Sequence, residues 1–229
     1  MVAQNISTQN ISAQNISGRY SLREEIANSI THGVGILFSV AGLAVLTGLA
    51  SRYGDAWHIV SCSIFGATMI LLYTASTLYH GITHPGAKQV LRIFDHCAIF
   101  LLIAGTYTPF TLVNLRGPWG WSLFGTIWGL AVLGIVLQLT PWRRFRVLSV
   151  LLYVGMGWAV VAATKPLLHA VAPGGLLLLA LGGLAYTGGI GFYVWRSLPH
   201  NHAIWHLFVL AGSVMHFFAI LLYVIPISA

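Results

Sequence analysis

Seven apolar stretches follow one another from about residue 28 to residue 225, separated by short breaks rich in Gly, Pro and basic residues. Each supplies close to the roughly 20 helical residues that a bilayer core of about 30 Å demands. The first runs from about Asn28 to Ala50, the second from His58 to His80, and the third from Phe94 to about Val113, where Pro109 bends the far end. The fourth covers Trp119 to Leu139 and stops at Thr140-Pro141, and the fifth runs from about Phe145 to Thr164, before Lys165-Pro166. Pro173 to Trp195 and His202 to Ile225 complete the set. Period-two alternation, the mark of a transmembrane strand, is absent. The pattern predicts an all-α protein, a seven-transmembrane helix bundle.

Composition supports the same reading. With 57% hydrophobic and only 7% charged residues, the chain has too few charges to solvate a globular surface. Residues 1–26 stand apart: Gln-Asn-Ile-Ser recurs at Gln4, Gln9 and Gln14, a polar low-complexity tail with no core to bury, ahead of a membrane domain at 27–229. Each repeat spells an Asn-x-Ser acceptor, at Asn5, Asn10 and Asn15, which is usable only on a lumenal or extracellular face.

Charge orients the bundle. With the N-terminus cytoplasmic, Arg19, Arg23, Lys88, Arg92, Arg143, Arg144, Arg146 and Arg196 lie inside, and only Arg52, Arg116 and Lys165 lie outside. An odd number of spans then places the C-terminus outside, in a multi-pass protein of the cell membrane. The net charge of +7 is accounted for by this topogenic bias and by attraction to anionic headgroups. The expected partners are therefore membrane lipids, not nucleic acid. Cys62 and Cys97 fall towards opposite faces of the membrane, which argues against a disulfide. One acid and almost no base within the spans argue against a single-subunit pore.

Because successive spans alternate in direction, several chemically able residues share one depth. His80 ends the second span on the cytoplasmic side, Asp95 begins the third there, and His202 and His206 begin the seventh. His202 and His206 are four apart, which sets both imidazoles on one helix face about 40° apart. Three histidines with a fourth position left to water is the donor set of a catalytic zinc, and His80, His202 and His206 supply it. The chain holds four acids, Glu24, Glu25, Asp55 and Asp95. Asp95 is the one at the margin of a span beside a histidine, and an acid at membrane depth is a functional candidate by default. The alternative is an ion pair with Arg92, one turn earlier. Ser76, one turn before His80, either meets a substrate oxygen or bonds back to its own helix.

Four elements in this order resemble the progestin and adipoQ receptor family: Glu25-x2-Asn28-x2-Thr31-His32, Ser76-x3-His80, Asp95 after Arg92, and His202-x3-His206. The short chain and brief loops resemble its bacterial branch, the hemolysin III proteins. The resemblance implies zinc held by the three matching histidines, a water held between the metal and the matching Asp95, and kinship with ceramidase-like membrane hydrolases. Glu25, Asn28 and His32 form a supporting polar cluster beside the site, and His96 is a further second-layer candidate. His84 follows Gly81 and precedes Pro85-Gly86, which reads as loop, not ligand. His216 lies about 15 Å along the helix from His206, out of reach of the same ion.

Two function classes follow. One is a zinc-dependent hydrolase of a lipid amide or ester in the cytoplasmic leaflet, with Asp95 as proton acceptor. The other is a non-enzymatic membrane receptor, homeostasis factor or cytolysin with a structural zinc, for which Cys97 is the candidate fourth ligand.

Overall fold

The computed structural model describes residues 20–226; the Gln-Asn-Ile-Ser repeats lie outside the described residues. Seven helices are each long and apolar enough to cross a membrane: α1 (Leu22–Tyr53), α2 (Ala56–Gly81), α3 (Pro85–Asn114), α4 (Pro118–Leu139), α5 (Arg146–Ala170), α6 (Pro173–Val194) and α7 (Asn201–Tyr223). No strand occurs among the described residues. Consecutive helices are neighbours, and α1 also packs on α7, which closes the bundle. The chain is a multi-pass membrane protein.

Helix α1 starts earlier than its apolar pattern, so residues 22–26, grouped with the tail on composition, are helical. The cause is a capping box: the Glu24 backbone N–H donates to Ser21 Oγ at 3.3 Å, and the Ser21 backbone N–H donates to Glu24 Oε2 at 2.8 Å. The buried residues of α1 are Glu25, Asn28, His32, Gly35, Ser39, Gly42, Leu46 and Ala50, a stripe at helical spacing made mostly of small and polar side chains. Leu37, Phe38, Val40 and Val45 point outward instead. Lipid tails are as apolar as leucine, so small residues that admit a close neighbour, and polar ones that find a partner, define the inner face.

Helix α3 also starts earlier than expected, at Pro85, with His84 as its N-cap accepting the Ala87 N–H at 3.3 Å. His84 thus serves its own turn and takes no part in the site. At the far end, Pro109 removes a backbone donor, and the helix widens into a π-type turn over Phe110–Asn114.

Helix α5 departs from the expected stop at Lys165-Pro166. It tightens to a 3-10 turn over Ala159–Ala163 and resumes at Thr164–Ala170. Pro166 therefore falls in the first turn of the resumed segment, where its missing N–H costs nothing.

The position of α7 is set from two sides. Gly175, Gly182 and Gly189, seven apart on α6, lie so close to it that a Cβ at Gly182 would sit 2.7 Å from His216 Nε2, and one at Gly189 2.7 Å from Phe208 Cβ. At the start of α7, His200 adopts the left-handed conformation with φ 56°, and its N–H donates to Glu24 Oε1 at 3.2 Å. Glu24 so links the first turn of α1 to the first turn of α7, where the histidine pair begins.

Candidate metal centre

His80, His202 and His206 converge from α2 and α7 at one end of the bundle, all buried, with one ring nitrogen from each lying within 4.8 Å of the others. Tetrahedral zinc with bonds of about 2.0–2.1 Å brings its ligand nitrogens to about 3.4 Å apart, so closure onto an ion is a matter of side-chain rotation. Among the described residues no fourth His, Cys, Asp or Glu joins this group.

Neighbouring groups fix which nitrogen faces the centre. His80 Nδ1 lies 2.6 Å from Glu25 Oε2, and a carboxylate only accepts, so Nδ1 carries the proton and Nε2 is left as the candidate ligand atom. That Nε2 is buried without a hydrogen-bond partner among the described residues, the state expected of an atom reserved for a metal. On α7, His206 Nδ1 lies 3.1 Å from both the Asn28 carbonyl and Thr31 Oγ1. The Thr31 hydroxyl donates to Ala27 O and Asn28 O, each at 2.9 Å, so His206 Nδ1–H is the donor of the pair and Nε2 is again the candidate ligand atom. Three imidazoles, two of them held at Nδ1 by neighbouring acceptors, are a donor set of the kind zinc takes.

The Glu25-x2-Asn28-x2-Thr31-His32 element places all four residues around this centre. Asn28 Nδ2 lies 3.4 Å from His80 Nδ1, and the His32 ring stacks on His206 at 3.5 Å between centroids, 10° from parallel. Glu25 Oε1 pairs with Lys88 Nζ at 3.0 Å, and Lys88 also donates to the Tyr79 carbonyl at 2.9 Å. Lys88 counted in the sequence only as a topogenic charge. Its second role, holding the carboxylate that holds His80, depends on the α2–α3 turn folding back onto α1 and has no local signal. Glu24, which reaches from α1 to the His200 N–H at the start of α7, likewise has no local signal.

Asp95 is buried and shares a cavity wall with His202 and His206, but it stands outside the group of converging ligand atoms. Among the described residues its Oδ2 lies 3.9 Å from His96 Nδ1, and no pair with Arg92 forms within 4.0 Å. His96 lies beside the same cavity with Nδ1 2.6 Å from the Arg92 carbonyl, which ties it to its own helix. Ser76 is fully buried and its hydroxyl has no partner among the described residues, so the back-bonded alternative is not seen, and it does not line the cavity. Cys62 and Cys97 are both free and buried, and Cys97 does not join the histidines. His216 likewise stays out of the group, ten residues along α7, stacked on Tyr186.

The cavity has a volume of about 320 Å³ and runs from the histidines into the bundle between α3, α5, α6 and α7. Beyond Asp95 its walls are chiefly apolar, among them Ile99, Ile103, Val154, Leu179 and Ile190. The cavity is thus polar at the histidine end and chiefly apolar along the rest.

Residues 20–217 match the family described as Haemolysin-III related. The chain is 49% identical to the Hemolysin-3 homolog of Bacillus subtilis (strain 168) over 208 residues, 91% of this chain and 98% of that protein. It is equally similar to Hemolysin-3 of Bacillus cereus, at 49% over 91% of this chain and 95% of that one. A more distant relative is the human Monocyte to macrophage differentiation factor, 30% identical over 89% of this chain and 86% of that protein.

Proposed function

The chain belongs to the haemolysin-III related family, and from that premise we propose that it is a membrane metalloprotein that binds one zinc through His80, His202 and His206 and hydrolyses a lipid amide or ester. The observation that carries this is the meeting of three buried imidazoles, two of them held by acceptors at Nδ1, with a buried carboxylate at the mouth of an apolar cavity. When bound, zinc supplies Lewis acidity: it polarises a carbonyl oxygen and makes water acidic enough to be a nucleophile near neutral pH.

The chain's own residues do the rest. Glu25, Asn28 and Thr31 hold the histidine rings. The cavity orients the lipid chain so that its head meets the histidines. Asp95, on the opposing helix, accepts a proton from water and returns it to the leaving group. Metal analysis of the purified protein followed by a turnover screen over amide and ester lipids tests the reading. Zinc present without hydrolysis of any of them would favour the second reading, a non-enzymatic membrane protein with a structural ion. That reading draws support from relatives named for haemolysis and for differentiation. The absence of a fourth protein ligand among the described residues favours the first, since closed structural sites are four-coordinate.

Two predictions belong with this proposal. Glu25→Gln is expected to weaken zinc binding about 10- to 100-fold, because an amide no longer selects the protonated Nδ1 of His80 as strongly as a carboxylate does. Competition with a chelator of known affinity measures it, and unchanged affinity would remove Glu25 from the site. The second concerns orientation: a reporter joined before Met1 is expected on the cytoplasmic side and one joined after Ala229 outside, from the eight-to-three basic asymmetry. Reporters on the same side would overturn this orientation.

A further inference from the structure

The metal histidines are approached from two cavities, not one. Besides the apolar cavity, a vestibule of about 310 Å³ lies at the α1–α2 surface and is lined by Tyr20, Ser29, His80, Thr83 and the Glu25–Lys88 pair. His80 faces the vestibule, while His202 and His206 face the apolar cavity. Among the described residues Tyr20 is the one shared by both. Its ring lies 5.0 Å from that of His202 and 6.0 Å from that of His80, across the boundary between the two spaces.

The vestibule's chemistry is specific. Its two charged side chains, Glu25 and Lys88, are already paired at 3.0 Å, so it offers no uncompensated charge to an ionic group. It offers instead the Thr83 hydroxyl and, as an acceptor, the oxygen of Ser29, whose proton goes to the Thr77 carbonyl at 3.1 Å, beside the apolar side chains of Leu22, Ile26 and Ile30 on α1. Such a lining selects an uncharged end that makes hydrogen bonds, a hydroxyl or an amide, over a phosphate or carboxylate.

We propose that the vestibule is the polar subsite for an amphiphile whose chain occupies the apolar cavity, and that Tyr20 is the partition such an occupant displaces to lie across the histidines. This rests on the reading of the cavity as a lipid site. It adds the place of the polar subsite, at the α1–α2 surface, and a gating residue just ahead of the Ser21 cap of α1.

The test uses the full chain in lipid nanodiscs with Cys62 and Cys97 replaced by Ala. A single cysteine is placed either at Ile99, half-buried in the cavity wall one turn beyond Asp95, or at Thr83, exposed in the vestibule. A charged, membrane-impermeant methanethiosulfonate reagent reads access to each. Ile99→Cys is expected to react slowly with Tyr20 or Tyr20→Phe in place, and at least about tenfold faster with Tyr20→Ala. An unchanged rate in Tyr20→Ala overturns the partition. With Tyr20 intact, N-lauroylethanolamine is expected to slow labelling at both Ile99→Cys and Thr83→Cys, whereas methyl laurate slows it at Ile99→Cys alone. Protection by N-lauroylethanolamine at Ile99→Cys only would remove the polar subsite and leave the lipid cavity standing. Protection at neither position would remove both. Neither reading needs a bound metal, so failure of the zinc assignment is scored separately by metal analysis.

Discussion

Purified His206→Ala protein is expected to carry no zinc, while His216→Ala protein, changed on the same helix and beside the same cavity, keeps close to one zinc per chain. Among the described residues His206 supplies one of three converging nitrogens, and the remaining two leave an ion short of the coordination that zinc requires. His216 is buried against Tyr186 with no role at the centre. Elemental analysis of the two proteins decides it, and a full complement in His206→Ala would refute the site. Since His206 also packs on His32 and is held by Asn28, its loss could unsettle the fold, so His206→Gln, closer in size, is the companion variant. Chelation supplies a further readout. A ligand bound only by the folded state adds about 2.7 kcal/mol at a concentration one hundred times its Kd. Chelator should therefore lower the melting temperature of the wild type and leave that of His206→Gln unmoved.

Asp95→Asn is expected to retain zinc and to lose about 10²- to 10⁴-fold in lipid turnover, the range for removal of a general base. Asparagine keeps the size of aspartate but cannot accept the proton, and Asp95 lies outside the group of converging ligand atoms, so the metal should not notice the change. Three outcomes separate the roles. Zinc kept with turnover lost supports the proton acceptor. Zinc and stability lost together would make Asp95 a ligand of a structural ion. No change in either would reduce it to a buried polar neighbour of His96.

The histidine pair on α7 and His80 on α2 were legible in the sequence because membrane topology restricts position along one axis. Once spans alternate, a residue's place in its span fixes its depth, and His80, His202, His206 and Asp95 fall at one level. His216 was excluded by the same ruler, ten residues further along a helix that rises about 1.5 Å per residue. Depth says nothing about rotation or about which helices touch. That is why Ser76, one turn from His80, was left with two readings, and why Lys88 passed for a topogenic charge.

The sequence alone determined the number and kind of elements, since a backbone in hydrocarbon must satisfy its own hydrogen bonds and seven apolar runs can do so only as helices. It determined the depth of the candidate ligands for the same reason. Helix starts were less legible: Ser21 and His84 extend α1 and α3 into polar sequence that hydropathy passes over. Only the tertiary structure decided which nitrogen of His80 and of His206 faces the centre. That choice depends on Glu25 meeting His80 across 55 positions and the Asn28 carbonyl meeting His206 across 178. Contacts of this kind come from α1 packing against both α2 and α7, which close approach along small-residue stripes makes possible and no local pattern encodes.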